Sequence, residues 1–213
     1  MLLLTFSGMS PGGHLVTTVA ACAASLVVSR GVPAGDSIAL AAGIAAGGFL
    51  IDVDHAIDYV LFDGQRDLRP GAFLRYYLDG RVKRVVLALH SFELFALLGV
   101  MAFWLDMLPL WGYLMGALMH LSLDIVFNAE YMSRSPILVY SFVYRWAHGF
   151  DARAFGKSPD LFVTPAGFWS AFFSGALPVG EERGSAAATE APPRVGRRSI
   201  SAAGPARRVP TTP

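Results

Sequence analysis

Apolar residues dominate four stretches of the chain, and each approaches the length of about 20 residues that a helix needs to cross a bilayer. The stretches cover residues 13–29, 37–53, 85–105 and 110–129. Short turns containing glycine, proline or a charge separate the two members of each pair. The pattern predicts an all-α fold, a polytopic membrane helical bundle of about four transmembrane helices arranged as two hairpins.

The composition supports lipid as the solvent of these helices. The 213 residues are 54% hydrophobic and 15% charged, whereas soluble domains are about 25% charged. The formal net charge is +1, so the charge balance predicts no nucleic-acid partner. Cys22 is the single cysteine, which excludes an intrachain disulfide and a multi-cysteine zinc site. The second stretch is rich in alanine and glycine, so we expect it at the bundle centre, where small residues allow close packing.

Basic residues predict the orientation of the bundle. Residues 56–84, between the hairpins, are rich in arginine, and such loops stay in the cytoplasm, which places both termini there too. Residues 1–130 then form a transmembrane domain that carries the metal site described below. Residues 131–179 form an interfacial segment with short aromatic helices, and residues 180–213 form a disordered tail. A fifth span over residues 161–177 is the main alternative.

Ionisable side chains inside membrane spans are costly, so each needs a partner or a purpose. Under the predicted orientation, those of this chain gather at one depth, in the cytoplasmic half of the bundle. His90, for example, lies six residues after Arg84, or about 9 Å along a helix. By contrast, Asp58 and Asp79 are interpreted as solvated loop charges. The ionisable residues of the spans are His14, Asp52, Asp54, His55, His90, Glu93, His120 and Asp124.

The spacing of these residues favours a metal site. His120 and Asp124 are four residues apart, and His90 and Glu93 are three apart, so each pair shares one helix face. Imidazole and carboxylate ligands suit a divalent transition metal, with zinc first and manganese or iron as alternatives. The number of ligands allows one or two ions. A proton relay or a packing network of polar side chains remains the alternative to a metal.

Four motifs resemble a known family when they are taken in order. They are an early-helix histidine (His14), a glycine-rich helix ending in Asp-x-Asp-His (residues 47–55), a His-Ser pair (His90 and Ser91), and a late His-x-x-x-Asp (residues 120–124). Together they look like the bacterial YdjM-like family of membrane-bound, metal-dependent hydrolases, which is distantly similar to zinc-dependent phospholipases C. The resemblance covers residues 14–128 and implies location in the bacterial inner membrane. The metal ligands that it implies are His14, Asp52, Asp54, His55, His90, His120 and Asp124.

These observations predict a metal-dependent hydrolase that acts near the cytoplasmic leaflet on a phosphoester or lipid-like amphiphile, with membrane lipid around it. Glu93 and Asp54 are the candidate catalytic residues that would handle the proton, although Glu93 is also a candidate ligand or a partner of a ligating histidine. Neighbouring arginines either attract an anionic head group or only orient the bundle. They are Arg66, Arg69, Arg75, Arg81 and Arg84.

Two alternatives belong to other functional classes. A metal-ion or proton transporter needs polar groups along a path to the far side of the membrane. The predicted outer half has Asp36 and Asp106 in its turns and no ionisable residue between these turns and the cluster, which favours a one-sided pocket. The other alternative is a non-catalytic membrane scaffold that retains a structural metal.

Overall fold

A computed structural model describes residues 9–156 and 159–179 of the chain. The described residues are mostly helical, which confirms the all-α class. The tail predicted to be disordered lies outside the described residues. Besides three short 3-10 helices, nine helices form within them: α1 (Pro11–Val28), α2 (Ala34–Gly48), α3 (Leu50–Phe62), α4 (Pro70–Leu78), α5 (Phe92–Leu105), α6 (Leu108–Phe127), α7 (Pro136–Val139), α8 (Phe142–Ala147) and α9 (Phe168–Ser174).

Two helices, α1 and α6, are long and apolar enough to cross a membrane. Helix α3 continues α2 after a bend of 44°, and this pair counts as a third span if it is taken as one unit. Helix α5 is apolar but has only 14 residues, or about 21 Å, against a hydrocarbon core of about 30 Å. The part of the chain that the structure describes therefore has the helices of a membrane protein, with two or three spans by length and composition.

The third predicted helix begins seven residues later than its apolar pattern suggests. Residues 85–91 are not helical, and α5 starts only after Ser91, whose Oγ accepts a hydrogen bond from the backbone N–H of Leu94 at 3.3 Å. The start predicted at Val85 is wrong, because carboxylates on α3 bind the backbone N–H groups of this segment. Apolar composition cannot distinguish such a partly buried irregular segment from a helix.

Helices α2 and α6 pack closely through glycines spaced four residues apart. A Cβ added to Gly43 or Gly47 would lie within 3.0 Å of the α6 backbone, and one added to Gly112 or Gly116 would lie equally close to α2. Two such patterns facing one another are typical of close helix pairs in membranes. Helix α2 also packs against α1, so the small-residue stretch lies between α1 and α6, whereas α6 is the helix that contacts α1, α2 and α5.

Residues 131–179 cover one end of the bundle. Strand β1 (Phe162–Val163) pairs antiparallel with β2 (Leu177–Pro178). The two segments that flank α9 therefore lie side by side and run in opposite directions. The alternative of a fifth span over residues 161–177 is therefore wrong. The hydroxyl of Ser10, at the start of α1, donates to the backbone carbonyl of Phe173 at 2.7 Å. This contact ties α9 to the end of the bundle where the predicted site residues lie.

Candidate metal centre

The seven predicted metal ligands come together at one end of the bundle. His14 lies in the first turn of α1, and His120 and Asp124 lie in the last two turns of α6. His90 immediately precedes α5, and α3 supplies the rest of the cluster from its first two turns. All are buried except Asp52 and His55, which are partly exposed. The α3 residues are Asp52, Asp54 and His55.

Four donor atoms from four different residues converge at the centre of this cluster. The Nε2 atoms of His90 and His120 are 3.2 Å apart, and Asp52 Oδ1 lies 3.4 Å from each of them. Asp124 Oδ2 lies 3.5 Å from His120 Nε2 and 4.0 Å from His90 Nε2. The centre is thus lined by two imidazole nitrogens and two carboxylate oxygens.

The outer nitrogens of both imidazoles are already engaged. His90 Nδ1 lies 3.0 Å from both carboxylate oxygens of Asp54, and His120 Nδ1 lies 2.9 Å from the carbonyl oxygen of Gly48. Carboxylates and carbonyls only accept hydrogen bonds, so both Nδ1 atoms must carry the proton. In the neutral imidazoles, the two Nε2 atoms therefore face each other with lone pairs.

Asp124 is held in a similar way by its outer oxygen. Its Oδ1 lies 3.0 Å from His14 Nε2 and accepts a hydrogen bond from the side-chain amide of Asn128 at 2.9 Å. The side-chain oxygen of Asn128, Oδ1, in turn accepts a hydrogen bond from the backbone N–H of Met9 at 2.9 Å. These contacts leave Oδ2 directed at the centre. Asn128 was not predicted, although its position four residues after Asp124 on the same face could have indicated it.

The spacing of the four central atoms fits a divalent metal. A tetrahedral ion with bonds of about 2.0–2.1 Å keeps its ligand atoms about 3.3 Å apart, and four of the five measured separations lie between 3.2 and 3.5 Å. Four electron-pair donors facing one another without a hydrogen are repulsive unless a cation lies between them. The residues present therefore fit a bound metal ion.

Two further histidines border the four central atoms. The His14 ring stacks on the His120 ring with centroids 3.7 Å apart, and His55 Nε2 lies 3.6 Å from Asp52 Oδ1. The Nδ1 atoms of His14 and His55 are buried and have no hydrogen-bond partner among the described residues. Ligand atoms of both histidines also belong to groups compact enough to hold an ion, so the geometry accommodates one or two metals.

Asp54 is placed differently from the other candidate ligands. Its two oxygens approach His90 Nδ1, and Oδ2 also accepts hydrogen bonds from the backbone N–H groups of Leu89 and His90 at 2.9 and 3.3 Å. A carboxylate on the outer nitrogen of a ligating histidine orients the ring and raises its basicity. This geometry is that of an orienting partner of His90, and Asp54 also belongs to a compact group with His55 and His90 that could hold an ion.

Asp54 is the first of three aspartates on and after α3 that bind the irregular segment before α5. Asp58 Oδ2 accepts from the backbone N–H groups of Val86 and Leu87 at 2.7 and 3.0 Å. The Asp63 carboxylate accepts from the N–H groups of Lys83 and Arg84, each at 3.1 Å. The prediction that Asp58 is a solvated loop charge is wrong, because the residue is buried and helps to hold the segment that delivers His90.

Glu93 lies outside the cluster. Its carboxylate accepts hydrogen bonds from the Ser141 hydroxyl at 2.5 Å and from the N–H groups of Phe142 and Val143 at 2.9 and 3.3 Å. It therefore caps the N-terminus of α8, where a negative charge is stabilising. The structure provides no geometry for Glu93 as the catalytic base or as a ligand, because α5 begins only at Phe92 and turns this side chain towards α8.

Arg145, on α8, is a residue that the sequence reasoning missed. Its buried guanidinium donates to the backbone carbonyls of Leu87, His90 and Val139 at 2.7–3.1 Å. Burial lowers the pKa of this side chain. Arg145 and Asp54 thus hold the His90 backbone and ring from different directions. The available signal was a single charge within the aromatic run of residues 142–146.

Helix α4 covers the cluster through two tyrosines. The Tyr77 hydroxyl donates to the His55 carbonyl at 2.6 Å, and the Tyr76 hydroxyl donates to Asp63 Oδ2 at 2.9 Å. Burial, together with the Asp63 carboxylate, raises the pKa of Tyr76 to about 12, and burial also raises the pKa of Tyr77. Both phenols therefore stay neutral and act as hydrogen-bond donors that fix α4 over α3.

A cavity of about 650 Å³ lies above the cluster. His14, Asp52, His55, His90 and Asp124 all contribute to its lining, so the cluster is accessible from the cavity. Most other lining side chains are apolar and come from α4, α9 and residues 131–156. A mostly apolar cavity with a few converging polar groups is typical of a small-molecule site.

Comparison of the chain with protein-family models, with curated proteins and with solved structures finds no significant match. The resemblance to the YdjM-like family therefore depends on the order and helical context of the motifs, and it stays a prediction. The fold and the cluster geometry are the basis for the functional argument.

Proposed function

We propose that this protein is a membrane-bound, metal-dependent hydrolase of a phosphoester or lipid-like substrate. The observation that carries the proposal is the meeting of two imidazole Nε2 atoms and two carboxylate oxygens, because a divalent cation placed between them would bind all four. The proposed ligands are Asp52, His90, His120 and Asp124. His14 and His55 border them and would complete a second site if two ions bind.

A divalent metal bound here would act as a Lewis acid towards the substrate and would acidify a water molecule. The protein keeps the ligands in position through Asp54 on His90, Gly48 on His120, and Asn128 on Asp124. Asp52 and His55 are the partly exposed members, and both line the cavity. We assign proton transfer during hydrolysis to His55, in place of Glu93, because its ring is beside Asp52 and its Nδ1 has no described partner.

We also propose the finer membrane arrangement. Helices α1 and α6, the bent α2–α3 pair and the shorter α5 act as four spans, with the cluster at the cytoplasmic end of an inner-membrane bundle. The arginine-rich segment between α3 and α5 supports this orientation through the positive-inside rule. Helix α5 accommodates its short length if residues 85–91 enter the protein interior rather than the lipid, since irregular backbone is tolerated where protein covers it.

A transporter fits the geometry less well than a hydrolase does. Among the described residues of α1, α2, α5 and α6, Glu93 is the only histidine or carboxylate between the cluster and the far turns, and its carboxylate is bound at the start of α8. The α2–α6 contact there is closed by glycines in close backbone contact. A conducting path needs polar groups or water along its length.

The proposal is tested by measuring bound metal in the full chain, purified in detergent without a histidine tag. We expect one or two equivalents of a transition metal by mass spectrometry, and a loss of that metal in the His120→Ala, Asp124→Ala double variant. His148→Ala is the matched control, because His148 is exposed and lies outside the cluster.

Hydrolysis is then assayed with the metal-loaded protein on a chromogenic phosphodiester presented with phospholipid vesicles. We expect turnover by the wild type and the control variant, and none by the double variant. A folded wild type that binds no metal, even after reconstitution, would overturn the proposal. Metal without any turnover, across phosphoesters and lipid esters, would instead favour the scaffold with a structural metal.

A further inference from the structure

Two positively charged side chains line the cavity beside the cluster of histidines and aspartates. Of the side chains that line it, only Arg84 and Arg153 are positively charged within the described part of the chain. Their backbones are fixed side by side, because Arg84 pairs antiparallel with Asp151 and the N–H of Ala152 donates to the Lys83 carbonyl at 3.0 Å. The two arginines therefore lie on adjacent segments at the same side of the cavity.

The other arginines of this region are committed elsewhere or do not line the cavity. Arg69 pairs with Asp67 at 2.5 Å, and this pairing lowers the pKa of Asp67 to about 2. Arg81 lies 3.4 Å from Asp79. Both Arg84 and Arg153 are exposed, and neither forms an ion pair with a carboxylate in the described ranges. Arg84 and Arg153 are therefore the two arginines of this basic region that are free to bind an anion in the cavity.

The remaining wall of the cavity is apolar and aromatic. Its side chains come from α4, α9 and the segment between α8 and β1, and they include Phe73, Leu74, Phe155, Phe168 and Phe172. A small hydrophilic anion would leave this wall facing water. An apolar chain attached to the anion would cover it and gain the free energy of burial.

We propose that the cavity binds an amphiphile with one anionic phosphate or phosphonate head group, held by Arg84 and Arg153 next to the metal centre, and with its apolar chain against the aromatic wall. This inference rests on the proposed function and names its substrate class. Guanidinium groups bind phosphate oxygens through paired hydrogen bonds. The carboxylates of the cluster repel an anion, so a bound metal would strengthen head-group binding.

The test measures binding rather than turnover. Full-length, metal-loaded protein in phosphatidylcholine nanodiscs is titrated calorimetrically with butyl-, hexyl- and octylphosphonate, which cannot be hydrolysed at the carbon–phosphorus bond. Inorganic phosphate and hexanol serve as probes of the head and the chain alone. We expect affinity to rise by about fourfold for each buried methylene, so that octylphosphonate binds far more tightly than inorganic phosphate.

Substitutions then assign the two parts of the site. Arg84→Gln and Arg153→Gln should each weaken hexylphosphonate binding by about tenfold and leave hexanol binding unchanged. Arg66→Gln is the matched control, because Arg66 is exposed and does not line the cavity. Phe172→Ala should weaken octylphosphonate binding more than butylphosphonate binding.

Three outcomes would overturn the inference. They are equal affinity of both arginine variants and the wild type, equal affinity for phosphate and octylphosphonate, and no phosphonate binding by protein that holds its metal. The last result leaves the metal-centre proposal intact. Conversely, phosphonate binding by protein that holds no metal would support the arginine site and contradict the proposed hydrolase, so the two failures are distinguishable.

Discussion

His90 and His120 face each other through their Nε2 atoms at 3.2 Å, while the Nδ1 atom of each already donates to an acceptor. Two neutral imidazoles held in this way present lone pairs to one another, and the carboxylates of Asp52 and Asp124 add further negative charge. Several buried hydrogen bonds hold these side chains in this arrangement. Such an arrangement of donor atoms is expected around a cation.

Asp54→Asn should weaken metal binding without unfolding the protein. The amide oxygen can still accept a hydrogen bond from His90 Nδ1, but the negative charge that raises the basicity of the ring is lost. Loss of such a partner costs about 10–100-fold in metal affinity. Competitive titration with a zinc chelator measures the effect, and Asp36→Asn, at the far end of α2, is the charge-matched control. Unchanged affinity would remove Asp54 from the site.

Arg145→Lys should destabilise the protein and weaken metal binding together. A single ammonium group cannot reproduce the paired contacts of the guanidinium with the carbonyls of Leu87, His90 and Val139. Hydrogen bonds to charged groups contribute about 1.5–3 kcal/mol each to stability, so we expect a loss of about 3 kcal/mol in a thermal unfolding series. If metal affinity in the folded variant equals that of the wild type, Arg145 stabilises the fold without positioning His90.

Glu93→Gln should leave metal content and hydrolysis unchanged, because the carboxylate faces α8 rather than the cluster. The expected effect is a loss of about 1 kcal/mol of stability, since the charge at the helix N-terminus is removed. Comparing turnover and melting temperature of the same preparation separates the two roles. A large drop in turnover with unchanged stability would instead restore Glu93 as a catalytic base.

Gly47→Ala should disrupt the packing of α2 on α6. The added Cβ would overlap the backbone of Tyr113 and Ala117, and overpacking of this kind costs about 1–3 kcal/mol or more. Gly99→Ala is the matched control, because a Cβ on that α5 glycine meets nothing within 4 Å and alanine favours a helix by about 1 kcal/mol. Melting temperatures in one detergent should therefore move in opposite directions for the two variants.

Hydrophobic patterning by itself determined much of the helical bundle. The apolar stretches predicted α1, α2 and α6 closely, because a helix in lipid must be apolar along its length and ends where charges or turn residues begin. The arginine-rich segment predicted the orientation of the bundle in the membrane, and that orientation placed the candidate ligands at one end of it. The spacing of His120 and Asp124 on one helix face also follows from the 3.6-residue period alone.

Tertiary structure decided what the local pattern could not. Residues 85–91 are apolar enough for a helix, yet they form an irregular segment. Asp54 and Asp58 bind backbone N–H groups within it, and Asp63 binds those of Lys83 and Arg84 just before it, across 20 or more residues of chain. The shortened α5 then turns Glu93 towards α8. Two of the three carbonyl acceptors of Arg145 likewise lie 55 and 58 residues away in the chain. Such long-range contacts depend on which groups are buried together, and burial is a property of the folded chain rather than of any window of its sequence.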